Sequence, residues 1–141
     1  MSDAPTPLSG DELQKMLDYS PFIAFLGLKV TEADAAKERL TMRCEMRPEF
    51  ERGKGTGQWH GGPIAAIIDT VGDYALIMAL RRGLPTINFR VDYLRPAIKT
   101  ALITTATVRR SGRSVGVVDV DVFNEQNALV AVGRATYSTL K

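Results

Sequence analysis

The chain has 141 residues, of which 45% are hydrophobic and 24% charged, and its 18 Lys and Arg residues against 16 Asp and Glu leave a formal net charge of +2. This length suits one domain that buries about two thirds of its unfolded surface, and the balanced composition excludes wholesale disorder, a collagen-like repeat and a coiled-coil rod. The longest unbroken apolar run, residues 75–80, is far shorter than the roughly 20 residues of a membrane helix, so no membrane partner is expected.

Residues 1–9 are rich in Pro, Ser and Thr, and we predict a flexible N-terminal tail followed by a single domain over residues 10–141. The first residues lack the basic start and apolar run of a secretory signal, so we expect a cytoplasmic protein. Cys44 and His60 are the only soft metal ligands, which predicts neither a disulfide nor a metal site.

A short helix and two strands are predicted before the middle of the chain. Ser9 precedes Glu12 by three residues, a capping-box spacing that predicts a helix ending near Pro21. Residues 22–27 are interpreted as an apolar connector. Alternating patterns then predict strands over residues 28–33 and 39–47, which would pair as a hairpin.

The next segment is a glycine-rich loop that leads into an unusual helix. Residues 48–58 contain three glycines and are predicted to form the loop. Pro63 suits a first helical turn, and from there to about residue 82 the chain is apolar on nearly every side. A helix of this composition is a buried one, which in a small domain implies a sheet wrapped around it.

The remainder of the chain supplies that sheet. Four β-rich runs are separated by short turns, which favour antiparallel pairing. They span residues 86–94, 101–110, 115–124 and 128–138. The predicted fold class is therefore α+β, with about six antiparallel strands around one long central helix and a short N-terminal helix.

Two carboxylates interrupt the apolar helix. Asp69 and Asp73 are four residues apart and therefore lie on one face. Buried carboxylates are costly, and like charges at this spacing repel each other. For Asp69 we favour a functional role. For Asp73 a functional role in substrate binding and a structural role, paired with an Arg at a dimer seam, are equally consistent with the sequence.

The start of this helix is a second candidate element. A helix N-terminus presents free N–H groups, and Gly61 and Gly62 allow a substrate carbonyl to approach closely, as in an oxyanion hole. The alternative is that they only make the turn into the helix. His60, the single histidine, is a candidate general base, substrate contact or loop-fixing hydrogen bonder.

Basic residues cluster around a later turn. Arg109, Arg110 and Arg113 flank Ser111 and Gly112, which indicates either an ordinary exposed hairpin tip or a phosphate site.

Cys44 alternates with apolar residues on one face of a predicted strand, so we interpret it as a core residue rather than a nucleophile.

Taken together these motifs resemble the hotdog-fold acyl-CoA thioesterases of the phenylacetic-acid-degradation (PaaI-like) type, relatives of one class of 4-hydroxybenzoyl-CoA thioesterase. The resemblance extends from about residue 22 to residue 137. It rests on His60-Gly61-Gly62, on Asp69 nine positions after the histidine, on the strand from Thr86 into Tyr93-Leu94-Arg95-Pro96-Ala97, and on Arg110-Ser111-Gly112-Arg113.

The resemblance implies the roles of these residues. Asp69 would act as nucleophile or general base on a thioester, the Gly61 N–H would polarise its carbonyl, and Thr86 would help to position the attacking water. Arg110 and Arg113 would hold CoA phosphates. It also implies sites between paired subunits, as a homodimer or a dimer of dimers, with acyl-CoA as substrate and no separate cofactor.

One position departs from the family pattern. Lys54 stands where the family commonly has Asn or Gln facing the thioester, and Gln58 is close enough in sequence to take that part. The departure motivates a second hypothesis, a non-catalytic acyl-CoA binding or sensing module. A hotdog hydratase lacks a suitably placed histidine here, and a nucleic-acid partner is not expected from so small a charge surplus.

Overall fold

The computed structural model describes residues 4–141, so the first three residues of the predicted tail lie outside the described residues. The described part of the chain forms three α-helices and six β-strands. The helices are α1 (Gly10–Tyr19), α2 (Pro21–Leu26) and α3 (Gly61–Leu80), and a 3₁₀ turn covers Pro48–Phe50. The strands are β1 (Lys29–Asp34), β2 (Arg39–Cys44), β3 (Thr86–Tyr93), β4 (Leu102–Ser111), β5 (Val115–Phe123) and β6 (Leu129–Ser138).

The capping box predicted for α1 is confirmed. The Ser9 hydroxyl accepts from the Glu12 N–H at 3.1 Å, and the Glu12 carboxylate accepts from the Ser9 N–H at 3.0 Å. The predicted connector was wrong, because residues 21–26 form α2. Pro21 occupies its first turn, where a missing N–H costs nothing, and Gly27 ends it with a left-handed φ of 73°.

All six strands form one antiparallel sheet in the order β1-β2-β4-β5-β6-β3. The predicted α+β class and the six-stranded sheet around one long helix are therefore confirmed. The fourth to sixth strands in the chain fill the centre, whereas β3 pairs only with β6 and forms one edge. One side of β3 thus carries backbone groups without a strand partner in the described chain.

The long helix α3 fills the concave side of the sheet. Eleven of its twenty residues are buried, and it packs chiefly against β4, β5 and β6. By length and composition alone it would suit a membrane, but most of it is covered by its own domain. This is the pattern of a core helix, and it begins two residues earlier than the sequence predicted, at Gly61.

Two glycines let the helix and sheet come into close contact. A Cβ on Gly72 would lie 2.5 Å from the Tyr137 hydroxyl, and one on Gly133 would lie 2.6 Å from Ile68. The Tyr137 hydroxyl uses this space to donate to the Asp69 backbone carbonyl at 2.6 Å. A β6 side chain thereby fixes the turn of α3 that carries Asp69.

The end of the predicted tail contacts the far end of α3. Leu8 is 8% exposed, and its N–H donates to the Met78 carbonyl at 2.8 Å. The Arg81 guanidinium donates to the Thr6 carbonyl, also at 2.8 Å. Residues 6–8 therefore lie against the domain.

Candidate active site

The Asp69 carboxylate is held by a residue at the start of β3. The Thr86 hydroxyl donates to Asp69 Oδ1 at 2.8 Å. Asp69 is half-buried and directly follows the fully buried Ile67 and Ile68 on α3. A carboxylate has about four lone-pair positions, so this single bond orients the group and leaves acceptor positions for further hydrogen bonds.

The N-terminus of α3 has one free amide donor. The His60 side chain caps the helix, because its Nδ1 accepts from the Gly62 N–H at 2.9 Å. Pro63 has no N–H. The Gly61 N–H has no hydrogen-bond partner among residues 4–141. His60 therefore has the loop-fixing geometry, and in the described chain the Gly61 N–H is left unpaired at the positive end of the helix.

An open groove of about 590 Å³ lies against this donor. Its size falls in the range typical of small-molecule sites. Gln58, Gly61 and Tyr93 line it, and two arginines, Arg52 and Arg95, have no acidic partner in the described chain. The remaining lining residues are Trp59, His60, Ile64, Leu94, Pro96 and Ala97.

The donor and the carboxylate occupy separate places in one chain. Gly61 and Asp69 are eight residues apart on α3, which corresponds to about 12 Å along the axis. Gly61 contacts Tyr93 at the end of β3, whereas Asp69 contacts Thr86 at its beginning. The two β3 residues are seven positions apart, about 23 Å along the extended strand, and their side chains meet helix positions that are closer together. One chain therefore presents two half-sites at opposite ends of its edge strand.

The turn between β4 and β5, which we call the arginine hairpin because it carries Arg110 and Arg113, lies in line with the Asp69 carboxylate across the sheet. The strand register places Thr86 beside Tyr137, Tyr137 beside Gly116 and Gly116 beside Ser111. Three strand spacings separate the ends of this row, or about 14 Å. Arg110 and Arg113 extend into solvent next to Ser111 with no ion pair in the described chain.

Gly112 shapes this hairpin. A Cβ there would lie 2.9 Å from the Val115 carbonyl and 3.1 Å from Arg110 Nε. The Thr139 hydroxyl donates to the Gly112 carbonyl at 2.6 Å and ties the turn to the end of β6. The hairpin therefore holds its two free guanidinium groups on a fixed backbone.

Asp73 lies one helical turn beyond Asp69. Its Oδ1 atom is buried and has no hydrogen-bond partner within residues 4–141. Burial, with a further contribution from the Asp69 charge, raises the pKa of Asp73 to about 7. The described chain thus provides no partner that would offset the free-energy cost of burying this carboxylate in its charged form.

We predict that Asp73→Asn stabilises the protein above neutral pH. The folded pKa of Asp73 lies above the unfolded value of 3.8, so stability falls as pH rises from about 4 to 7. At pH 8 the free energy of unfolding of the variant should exceed that of wild type by about 1–2 kcal/mol, a value reduced to allow for the partial exposure of the Asp73 side chain. Urea unfolding at pH 5 and pH 8 measures the difference, which should shrink at the lower pH. A variant less stable than wild type at pH 8 would instead support a charged partner at a dimer seam.

The structure brings together some of the predicted site residues. Asp69 meets Thr86, and Gly61, His60 and Gln58 line the groove together. Gly62 does not line the groove but donates to His60 Nδ1. Lys54 is exposed and does not line it. Sequence reasoning did not assign a function to Tyr93, which donates to the Gly61 carbonyl.

Comparison with protein families and curated proteins gives consistent matches. The thioesterase superfamily model matches residues 56–131, more than half of the chain. Acyl-coenzyme A thioesterase 13 of Mus musculus is 34% identical over 129 residues, covering 89% of this chain and 90% of that protein. The medium/long-chain acyl-CoA thioesterase YigI of Escherichia coli is 28% identical over 135 residues, covering 84% and 85%.

Solved structures share the whole architecture. The PaaI protein from the phenylacetic acid degradation operon of Escherichia coli superimposes with a TM-score of 0.79 at 23% identity, covering 91% of this chain and 90% of that chain. A thioesterase from Haemophilus influenzae gives 0.82 at 22% identity, covering 95% and 94%. At these identities the likeness concerns the fold.

Proposed function

Since the chain belongs to the thioesterase superfamily, we propose that it hydrolyses acyl-CoA or aryl-CoA thioesters to the free acid and CoA. It is a thioester hydrolase with the hotdog fold, of the PaaI-like type that the sequence resembles. The observation that carries the proposal at residue level is the half-buried Asp69 carboxylate, oriented by Thr86 at 2.8 Å and left with acceptor positions for further hydrogen bonds.

Asp69 either activates the attacking water or attacks the thioester itself in this mechanism. As a general base it takes a proton from a water whose oxygen attacks the thioester carbon. As a nucleophile it attacks that carbon itself, and water then hydrolyses the resulting anhydride. In both routes the carbon–sulfur bond breaks and the CoA thiolate leaves. Thr86 restrains the carboxylate in either case, since its hydroxyl donates to Oδ1.

Gly61 supplies the electrophilic assistance. Negative charge develops on the thioester oxygen as the carbon is attacked, and a fixed N–H directed at that oxygen stabilises it. Gly61 lines the groove, and its N–H has no hydrogen-bond partner in the described part of the chain. Gln58 lines the same groove and would add a second donor. Gly62 contributes by keeping the capped turn compact.

A second copy of the chain would complete the site. The free edge of β3 exposes Ile87 and Tyr93, at 56% and 54%. If two β3 strands pair antiparallel about a two-fold axis, the Tyr93 end of one strand lies beside the Thr86 end of the other. Gly61 of one chain then faces Asp69 of its partner. We therefore propose a homodimer through β3 as the active unit, which a dimer of dimers would also contain.

The arginine hairpin between β4 and β5 is the proposed contact for the CoA phosphates. Arg110 and Arg113 have no ion-pair partner among residues 4–141, and they flank Ser111, which lies on the same row as Thr86 at about 14 Å. The pantetheine arm of CoA is long enough to span such a separation.

Asp73, one helical turn from Asp69, is also proposed to contact the substrate. The cytoplasmic location stays a prediction.

The test is release of free CoA from a panel of aryl, short-chain and long-chain acyl-CoA thioesters. We expect turnover with at least one class, and the ranking assigns the acyl preference. A thiol reagent can follow the reaction, because Cys44 is 0% exposed and burial raises the pKa of its thiol to about 12. Tight binding of acyl-CoA without turnover would overturn the hydrolase and favour the binding module.

A further inference from the structure

Tyr93 closes over Gly61 from the end of β3. Its hydroxyl donates to the Gly61 carbonyl at 2.8 Å. A Cβ on Gly61 would lie 3.1 Å from both the Cζ and the Oη atoms of this ring. Gly61 is absent from the residues with positive φ in the described chain, so its backbone does not require glycine. The tyrosine ring is what crowds a side chain at this position.

The peptide groups around Gly61 are held on their other sides. The His60 N–H donates to the Phe50 carbonyl at 2.8 Å, and the Gly62 N–H donates to His60 Nδ1 at 2.9 Å. The hydrogen bond from Tyr93 restrains the Gly61 carbonyl itself. Residues on both sides of the Gly61 N–H are therefore fixed, while that N–H has no partner within the described residues.

We infer that Tyr93 is a positioning residue, which aims the Gly61 N–H at the substrate carbonyl by fixing the first turn of α3. The inference rests on the proposed function, in which Gly61 is the donor. Transition-state stabilisation by a donor depends on its direction, because the hydrogen bond must be ready where the charge develops. Tyr93 also joins the donor to β3, so pairing of two β3 edges would fix the donor and assemble the site together.

The test begins with Tyr93→Phe, which keeps the ring and removes the hydrogen bond. One neutral hydrogen bond corresponds to a factor of about 3 to 10, and we expect kcat for the preferred CoA thioester to fall by that factor with little change in KM. Tyr19→Phe is the matched control and should leave kcat unchanged, since Tyr19 is 90% exposed on α1, which packs on β1 at the sheet edge opposite β3. Circular dichroism and thermal melts check that both variants fold.

A double-mutant comparison shows whether Tyr93 acts through the Gly61 N–H. Gly61→Pro removes the N–H at the helical position where proline is favoured, after a His60 ψ of 150° that proline accepts. Gly61→Ala adds the same crowding Cβ but keeps the N–H. We expect the proline variant to be at least tenfold slower than the alanine variant. In the Gly61→Pro background, Tyr93→Phe should change kcat by less than about twofold.

The outcomes separate the inference from the proposed function. A Tyr93→Phe enzyme as fast as wild type, beside a slow Gly61→Pro, overturns the positioning role alone. So does a Tyr93→Phe effect of the same size in both backgrounds, since Tyr93 would then act elsewhere. Equal rates for Gly61→Pro and Gly61→Ala would instead refute the donor role on which the inference rests.

Discussion

Asp69→Asn is expected to lower kcat for CoA release by about 10²- to 10⁴-fold, the range associated with loss of a general base. The amide cannot take a proton from water or form an acyl intermediate, so both proposed roles are removed. Its carbonyl oxygen can still accept the hydrogen bond from Thr86, which keeps the side chain in place. Because ground-state contacts survive, KM should change little.

Steady-state release of CoA from the best substrate of the panel is the measurement, and Asp18→Asn is the matched control. Asp18 is exposed on α1 and accepts a hydrogen bond from Gln14 at 3.1 Å, so the same chemical change is made while an acceptor is kept. Its kcat should equal that of wild type. An Asp69→Asn enzyme retaining a third of wild-type activity would refute Asp69 as base or nucleophile.

The fold was predictable because each element carries a local pattern. Ser9 and Glu12 determine the start of α1, and the continuous apolar surface of α3 requires a sheet to cover it. The prediction of a connector over residues 22–27 was wrong for an equally local reason. Six residues are too few to show helical periodicity, and Pro21 and Gly27 fit a helix start and stop as readily as a loop.

The site was less predictable because its contacts span the sheet. Asp69 stood out as a carboxylate in an apolar helix, but its meeting with Thr86 depends on β3 lying at the edge beside β6. Tyr93 and Gly61 are 32 positions apart, and no local pattern links them. The separation of Gly61 from Asp69 by about two helical turns is visible in the sequence spacing, but its consequence emerges only when the free edge of β3 is known.

That separation makes a second large effect predictable, the rescue of two inactive variants by mixing. Gly61→Pro lacks the donor and Asp69→Asn lacks the base, so each homodimer is inactive at both of its sites. In a mixed dimer built through β3, one site combines Gly61 of the second chain with Asp69 of the first, and both are intact. The other site carries both defects.

Unfolding the two variants together and refolding them at equal concentration should therefore restore about a quarter of the wild-type rate, since half of the dimers are mixed and each has one intact site of two. When the variants are refolded separately and combined without subunit exchange, their rate of CoA release should stay below about 1% of the wild-type rate, given the expected loss from each substitution. If donor and base acted within one chain, every site in the mixture would carry a defect and refolding together would restore nothing. Recovery thus depends on where the two half-sites meet, which is the geometric consequence of Gly61 and Asp69 contacting opposite ends of β3.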